Sequence, residues 1–311
     1  MSVVEAAEHT APPVVRGRSH KRNKRSTSVA LAMLVPAAVL MVVFLIIPIF
    51  LTFGLAFTNA RLISPVPARF VGLDNFVRLF ENETFWRSLL NTVVFTIVIV
   101  PVQSGLALGL ALLVNAKVRG TNFFRTVYFL PVVTSMVVVS MLWLFMYQPD
   151  GLINVLLAKV GITGPDWLGD PNTALFAIIV LSIWQAVGFH MVIWLSGLQT
   201  IPGELYEAAS IDGASKWQQF AHVTWPGLRQ TSIFILITIT IAAFSLFTQV
   251  NIMTQGGPLD STSTLVYMAV FTGFQQQQTG YAAAISLVFF ALVLTVSLIQ
   301  RYLTRDKEAI R

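Results

Sequence analysis

The chain has 311 residues, 55% of them hydrophobic and only 11% Asp, Glu, Lys or Arg, with a mean hydropathy of +0.73. A soluble domain carries about 25% charged residues, so this composition excludes a water-covered globule and requires surface that faces lipid or other apolar chains. The formal charge of +6 sits in short clusters at the ends of apolar runs, which argues against a nucleic-acid face, and the absence of cysteine excludes disulfides and thiolate chemistry.

Residues 1–27 form a basic tail that mixes Pro, Ser, His, Lys and Arg without an apolar period. It is expected to be disordered, with its basic end near anionic headgroups. A helix crosses the hydrocarbon core with about 20 apolar residues rising about 1.5 Å each. Charge-free windows of that length predict six spans: Ser28–Phe57, Ser88–Ala116, Thr126–Tyr147, Thr173–Leu198, Thr231–Met253 and Tyr281–Gln300. The first is about twice the length of a cleaved signal core, so an uncleaved anchor is expected. The uncharged stretch Ser261–Gly280, rich in Gln, Thr and Gly, reads as a loop with a short surface helix.

Lys and Arg set the orientation. The N-terminal tail, the loops after spans two and four and the C-terminal tail hold fifteen of the twenty basic residues, leaving Arg61, Arg69, Arg78, Arg87 and Lys159 on the other side. Both termini are therefore expected to be cytoplasmic, and an even number of spans independently puts them on one side.

The loop 200–230 has its own helix punctuation. Pro202 suits a first turn, with Glu204 and Glu207 near a positive helix end. Leu205, Ala208 and Ala209 share a face, and Gly213 can close the helix left-handed. Ser215 and Gln218 form a capping box for a second helix carrying Trp217, Phe220 and Ala221, which Pro226 and Gly227 are expected to break. A hairpin lying on the bilayer is one reading. The acids Glu204, Glu207 and Asp212 favour a protein partner with a cationic cleft over an anionic leaflet.

Glu207-Ala208-Ala209, three residues, Gly213, nine residues, then Val223-Thr224-Trp225-Pro226 resembles the EAA loop of bacterial ABC-importer permeases. Val223 and Trp225 depart from that family's Ile and Leu, and Gln230 stands where many members have a second proline. The string through Asp212 and Ala214 is similar to the carbohydrate-uptake branch, the relatives of the maltose and glycerol-3-phosphate permeases. Four further motifs agree in order: Phe70-Val71-Gly72-Leu73-Asp74-Asn75-Phe76, Asp150-Gly151-Leu152-Ile153-Asn154, Thr254-Gln255-Gly256-Gly257-Pro258 and Gly280-Tyr281-Ala282-Ala283-Ala284.

The resemblance implies an all-α integral membrane protein of the type I importer permease fold, with a six-helix permease domain over residues 28–303 and a short tail over 304–311. It implies a prokaryotic cytoplasmic (inner) membrane, a second homologous permease, two ATP-binding subunits and an extracytoplasmic substrate-binding protein. Glu207, Ala208, Ala209, Asp212, Gly213, Ala214 and Pro226 would then couple to the ATPase subunits, Glu207 as the ionic contact. The chain has no G-x-x-x-x-G-K-[ST] loop, so ATP and Mg are expected in the partner subunits, and no cofactor in this one.

No charge falls in the central parts of the spans, which favours a neutral polar substrate over an ion. His190, the one titratable candidate, reads as a packing histidine. Ser182, Gln185, Ala186 and Phe189 share one face of span four. Thr238, Ala242, Ser245 and Gln249 share one face of span five. Hydroxyls, amides and an aromatic ring suit a sugar, though helix packing uses the same residues. Aligned through the EAA loop, the span-four face resembles the sugar-contacting face of the maltose permease. On span five that alignment selects Ile239, Ala243 and Leu246 instead. A sugar or related polyol is the expected cargo. Glycerol-3-phosphate or a glycerophosphodiester is the alternative within the same machinery. A secondary transporter or a membrane enzyme would need intramembrane carboxylates or a reactive cluster, and His9, His20, His190 and His222 form none.

Overall fold

The computed structural model describes residues 24–116 and 120–304. Most of the basic tail, Lys117 and Arg119 of the loop after span two, and Arg305, Lys307 and Arg311 lie outside the described residues. The regular elements described are helical, and an isolated bridge between Thr58 and Phe70 is the only β pairing among them. The chain divides into two units, residues 1–51 and 52–311.

The first span, α1 (Ala32–Leu55), belongs to a helical run that begins at Lys24, inside the stretch expected to be disordered tail. A π turn at Val42–Ile46 precedes Pro48. The wider turn moves aside the carbonyl that a proline ring meets four residues back.

In the second unit a short helix α2 (Asp74–Glu81) leads into α3 (Glu83–Asn115), capped by the Asn82 side chain, which accepts from the Thr84 amide at 2.9 Å. At 33 residues α3 is about 50 Å long, well beyond a hydrocarbon core of about 30 Å, so its first turns stand outside the bilayer.

The third predicted span, Thr126–Tyr147, is corrected. It is two limbs, α4 (Phe123–Val133) and α5 (Met136–Met146), meeting at 98°. Pro131 lies in a 3-10 turn, and Thr134 and Ser135 are extended. The Thr134 hydroxyl donates to the Pro131 carbonyl at 2.6 Å, so the break leaves that group satisfied. A charge-free window registers length and not direction, which is why the bend was invisible to it.

A short helix α6 (Leu152–Lys159) precedes α7 (Ala174–Gln199). Gly188 of α7 lets the α4 backbone pass, because a Cβ there would meet the carbonyl of Tyr128. The loop helices α8 (Gly203–Ile211) and α9, which starts as Lys216–Gln219, follow, and then α10 (Arg229–Met253). Small residues such as Ala107 and Ala111 of α3 and Ala177 of α7 allow close packing around Phe95, Ile178, Met191, Trp194, Ile235 and Ile239.

Ser261–Gly280 is also corrected, because its first half is interior. Thr262, Ser263 and Thr264 are at most 3% exposed, and Thr264 caps α11 (Leu265–Gln275), which packs against the last helix, α12 (Thr279–Thr304). The three hydroxyls pair with the Gly257 carbonyl (2.7 Å), the Ser88 hydroxyl (2.8 Å) and the Leu246 carbonyl (2.8 Å). Polar composition suggested a surface, but these three hydroxyls are spent internally.

Five described helices are long and apolar enough to cross a membrane, or six with α4 and α5 taken as one broken span.

Candidate functional sites: the loop 200–230 and a polar cavity between the spans

The loop is a helical hairpin built by local signals. Pro202 stands one residue before α8 rather than inside it, with ψ at 132°. Asp212 ends α8 and Gly213 follows at φ +77°. The Ala214 amide donates to the Ala209 carbonyl (2.9 Å) and the Gly213 amide to the Ser210 carbonyl (3.1 Å), the bond pair of a Schellman stop. The Ser215 amide donates to the Gln218 side chain (2.7 Å) and the Ser215 hydroxyl accepts from the Gln218 amide (3.3 Å), so the expected capping box is present.

The two helices interlock through polar side chains. The Gln219 amide group donates to the Ser210 hydroxyl (2.9 Å), and the Tyr206 and Thr224 hydroxyls pair at 3.0 Å. Tyr206 and Ala209 of α8 are the partly buried residues toward the second helix, and Ser210 is exposed but bonded to Gln219, while Leu205 and Ala208 are exposed. Outward lie Glu207 and Asp212 with Leu205, Ala208, Ile211 and Trp217, the last two 86% and 74% exposed. No ion pair engages Glu207 among the described residues.

Pro226 does not break α9. After Gln219 the helix widens into a π turn at Phe220–Thr224 and continues as Trp225–Gly227, and only Leu228 interrupts it before α10. As before Pro48, the π turn removes the clash that would have ended the helix. The buried Leu228 anchors the hairpin to the spans, and a Cβ at Gly227 would meet the Ile201 side chain.

A cavity of about 320 Å³ lies between α3, α7 and α10, with Met136 of α5 on its wall. It brings together Ser182, Gln185, Ile239, Ala243 and Leu246. Phe189 is not among its walls: its ring is 44% exposed and meets His190 edge-on at 5.2 Å. The two predicted faces of span five both reach the cavity, since Ala242, Ser245 and Gln249 also line it, and only Thr238 is left out. The α10 helix loosens at Ser245–Phe247, where Phe247 has φ −136° and ψ −55°, and this turn lets two faces point one way.

Gln103 and His190 line the cavity too, joined at 2.8 Å and both buried. The packing role expected for His190 is present, and a wall of the cavity is added to it. Gln103 gave one signal, a carboxamide midway along the second span. The Gln249 amide group donates to the Ser182 hydroxyl (3.3 Å), and Gln185 reaches the Pro131 carbonyl at the α4–α5 break (3.4 Å). No Asp, Glu, Lys or Arg lines the cavity. Amides, hydroxyls and an imidazole among aliphatic walls can exchange hydrogen bonds with a hydroxylated ligand without meeting a charge. Among the described residues no group of three His, Cys, Asp or Glu side chains is placed to hold a metal.

Comparison with known proteins agrees with this architecture. Residues 85–308 match the family described as the inner membrane component of binding-protein-dependent transport systems. The lactose transport system permease protein LacF of Rhizobium radiobacter is 38% identical over 279 residues, covering 88% of this chain and 93% of that one. The trehalose/maltose transport system permease protein MalF of Thermococcus litoralis is 34% identical over 281 residues, covering 90% and 94%. A chain from the crystal structure of a bacterial ABC transporter that imports the acidic polysaccharide alginate superposes with a TM-score of 0.79 at 24% identity, covering 91% of this chain and 97% of that one.

Proposed function

This chain belongs to the family of inner membrane components of binding-protein-dependent transport systems, and from that premise we propose that it is the permease of an ABC importer for a neutral sugar or polyol. Its substrate moves inward past the cavity walled by Ser182, Gln185, Gln103 and His190 while partner subunits hydrolyse ATP. The observation that carries the reading is the loop 200–230, a rigid, tethered hairpin with its acids and large apolar side chains turned outward.

Two ATP-binding subunits engage this hairpin, and they hold the ATP and Mg. Glu207 meets a cationic group in their cleft, Asp212 lies beside it, Gly213 sets the turn, and Ala208 lets the surfaces approach. Ala209 and Ala214 support the hairpin from within. Pro226, held through the π turn, passes hairpin motion directly into α10. A second permease completes the path, and an extracytoplasmic binding protein delivers the sugar. Both termini then lie in the cytoplasm, as the basic residues require. The relatives named for lactose and for trehalose and maltose support a sugar. The absence of a cationic side chain from the cavity weighs against a phosphate.

Uptake by proteoliposomes holding the complete transporter tests this. Labelled lactose, maltose and glycerol-3-phosphate are supplied with binding protein outside and ATP inside. ATP-dependent uptake of a sugar is expected. Uptake of glycerol-3-phosphate alone would overturn the sugar assignment.

A further inference from the structure

A second pocket, of about 480 Å³, lies at the far end of α10 from the loop 200–230, beneath Asp260 and between α2 and α12. The 25 residues of α10 put about 37 Å between the two ends. Unlike the inner cavity, this pocket carries charge of both signs, Arg78 and Asp260, and no ion pair joins them among the described residues.

Several of its polar groups hold the fold. The Asn82 amide group donates to the Tyr281 hydroxyl (3.2 Å), and the Thr84 hydroxyl donates to one Asp260 oxygen (2.9 Å). The Tyr267 hydroxyl donates to the Gln255 carbonyl (2.7 Å). Others remain unspent. The side chains of Gln255 and Gln276 are exposed and make no hydrogen bond among the described residues, and the second Asp260 oxygen accepts none. The Arg78 guanidinium lies 4.3 Å over the Tyr281 ring, which fixes its position without using its donors. Tyr267 and Phe271, both on the wall, stack at 5.7 Å and give it an aromatic platform, with Phe247 stacked on Tyr267 at 6.4 Å outside the lining.

We propose that this pocket is an outer saccharide site, where a neutral sugar is held before it reaches the inner cavity. The inference rests on the sugar-importer reading above. A sugar hydroxyl both donates and accepts, so one ring can satisfy the carboxylate, the guanidinium and two amides together, while its apolar face lies on an aromatic ring. An anion would meet Asp260, and a cation would meet Arg78. The buried segment Thr262–Thr264 divides the two sites. Ser263 lines the outer one, and Thr264 bonds the carbonyl of Leu246, which lines the inner one.

The chain has no cysteine, so Gln275→Cys, next to the pocket residue Gln276, gives this subunit a single site for an environment-sensitive fluorophore, in a transporter whose partner subunits have had their reactive cysteines replaced. The labelled complete transporter is placed in nanodiscs and titrated with maltose, with lactose and with glycine as a zwitterionic control. A saturable response to a sugar is expected. The double variant Gln255→Ala/Gln276→Ala should raise its midpoint about tenfold, equivalent to about 1.4 kcal/mol for the loss of both amides together, and the inner-cavity variant Gln185→Ala should leave it within twofold. No response in a transporter that still imports the same sugar overturns the outer site and leaves the importer reading standing. So does a midpoint unmoved by the double variant, a response to glycine alone, or a response to binding protein that is independent of sugar. Import of glycerol-3-phosphate and neither sugar overturns the proposed function and this site with it.

Discussion

The loop 200–230 and the inner cavity differ in how they are built. The loop is specified by residues close in sequence: a glycine stop, a capping box, and two cross-helix bonds spanning 9 and 18 positions. The cavity is specified by residues from four helices, with Gln103 and His190 87 positions apart and Ser182 and Gln249 67 apart. Damage to a locally encoded element should therefore act on partner engagement and leave substrate recognition intact. Damage to the cavity should do the reverse.

The largest effect is expected where the framework beneath the cavity is tightest. Gly188→Leu puts a side chain into the Tyr128–Phe129 backbone. It should destabilise the purified protein by about 3 kcal/mol or more, lowering the thermal unfolding midpoint in detergent and abolishing uptake and partner recovery together. Selective loss of only one of these would show that the α4–α7 packing is less central than its geometry implies.

The cavity variants come next. Gln103→Ala removes the partner of a buried imidazole, and Ser182→Ala removes the acceptor of Gln249. Each should raise KM for sugar uptake about tenfold, as for about 1.4 kcal/mol of lost interaction, while recovery of the ATP-binding subunits stays at the wild-type level. A fall in that recovery would erase the contrast between the two regions.

A smaller effect tests the local encoding of the loop. Ser215→Ala removes the capping box and should cost about 1 kcal/mol of hairpin stability, visible as faster amide exchange over residues 216–219 with exchange in α7 unchanged. Ser215→Asp should restore most of it.

The same contrast explains what could be read without a structure. Gly213, Ser215 and Gln218 were legible because a helix stop and a capping box need only neighbours in sequence. The spans were legible because solvent exclusion demands length. The α4–α5 bend was not, since Pro131 can kink, break or sit harmlessly in a span, and the choice depends on Gly188 opposite. The spacing of Leu205, Ala208 and Ala209 groups them on one face without saying which side of the helix turns inward. The Tyr206–Thr224 bond decides that. Residues of both candidate faces of span five line the cavity, Ile239, Ala243 and Leu246 beside Ala242, Ser245 and Gln249, a convergence that periodicity alone does not show. Ser261–Gly280 misled because the hydroxyls of Thr262, Ser263 and Thr264 look solvent-seeking until their internal partners are seen.

The most direct measurement is co-purification of the ATP-binding subunits with the tagged chain in mild detergent, comparing wild type with Glu207→Arg. Glu207 is exposed and its side chain makes no hydrogen bond or ion pair among the described residues, so the variant should fold and still unfold at the wild-type temperature. The account predicts that the wild-type chain brings the ATP-binding subunits with it and that the charge reversal loses them. Equal recovery by both proteins would contradict the claim that this acid on the hairpin is what the ATP-binding subunits grip.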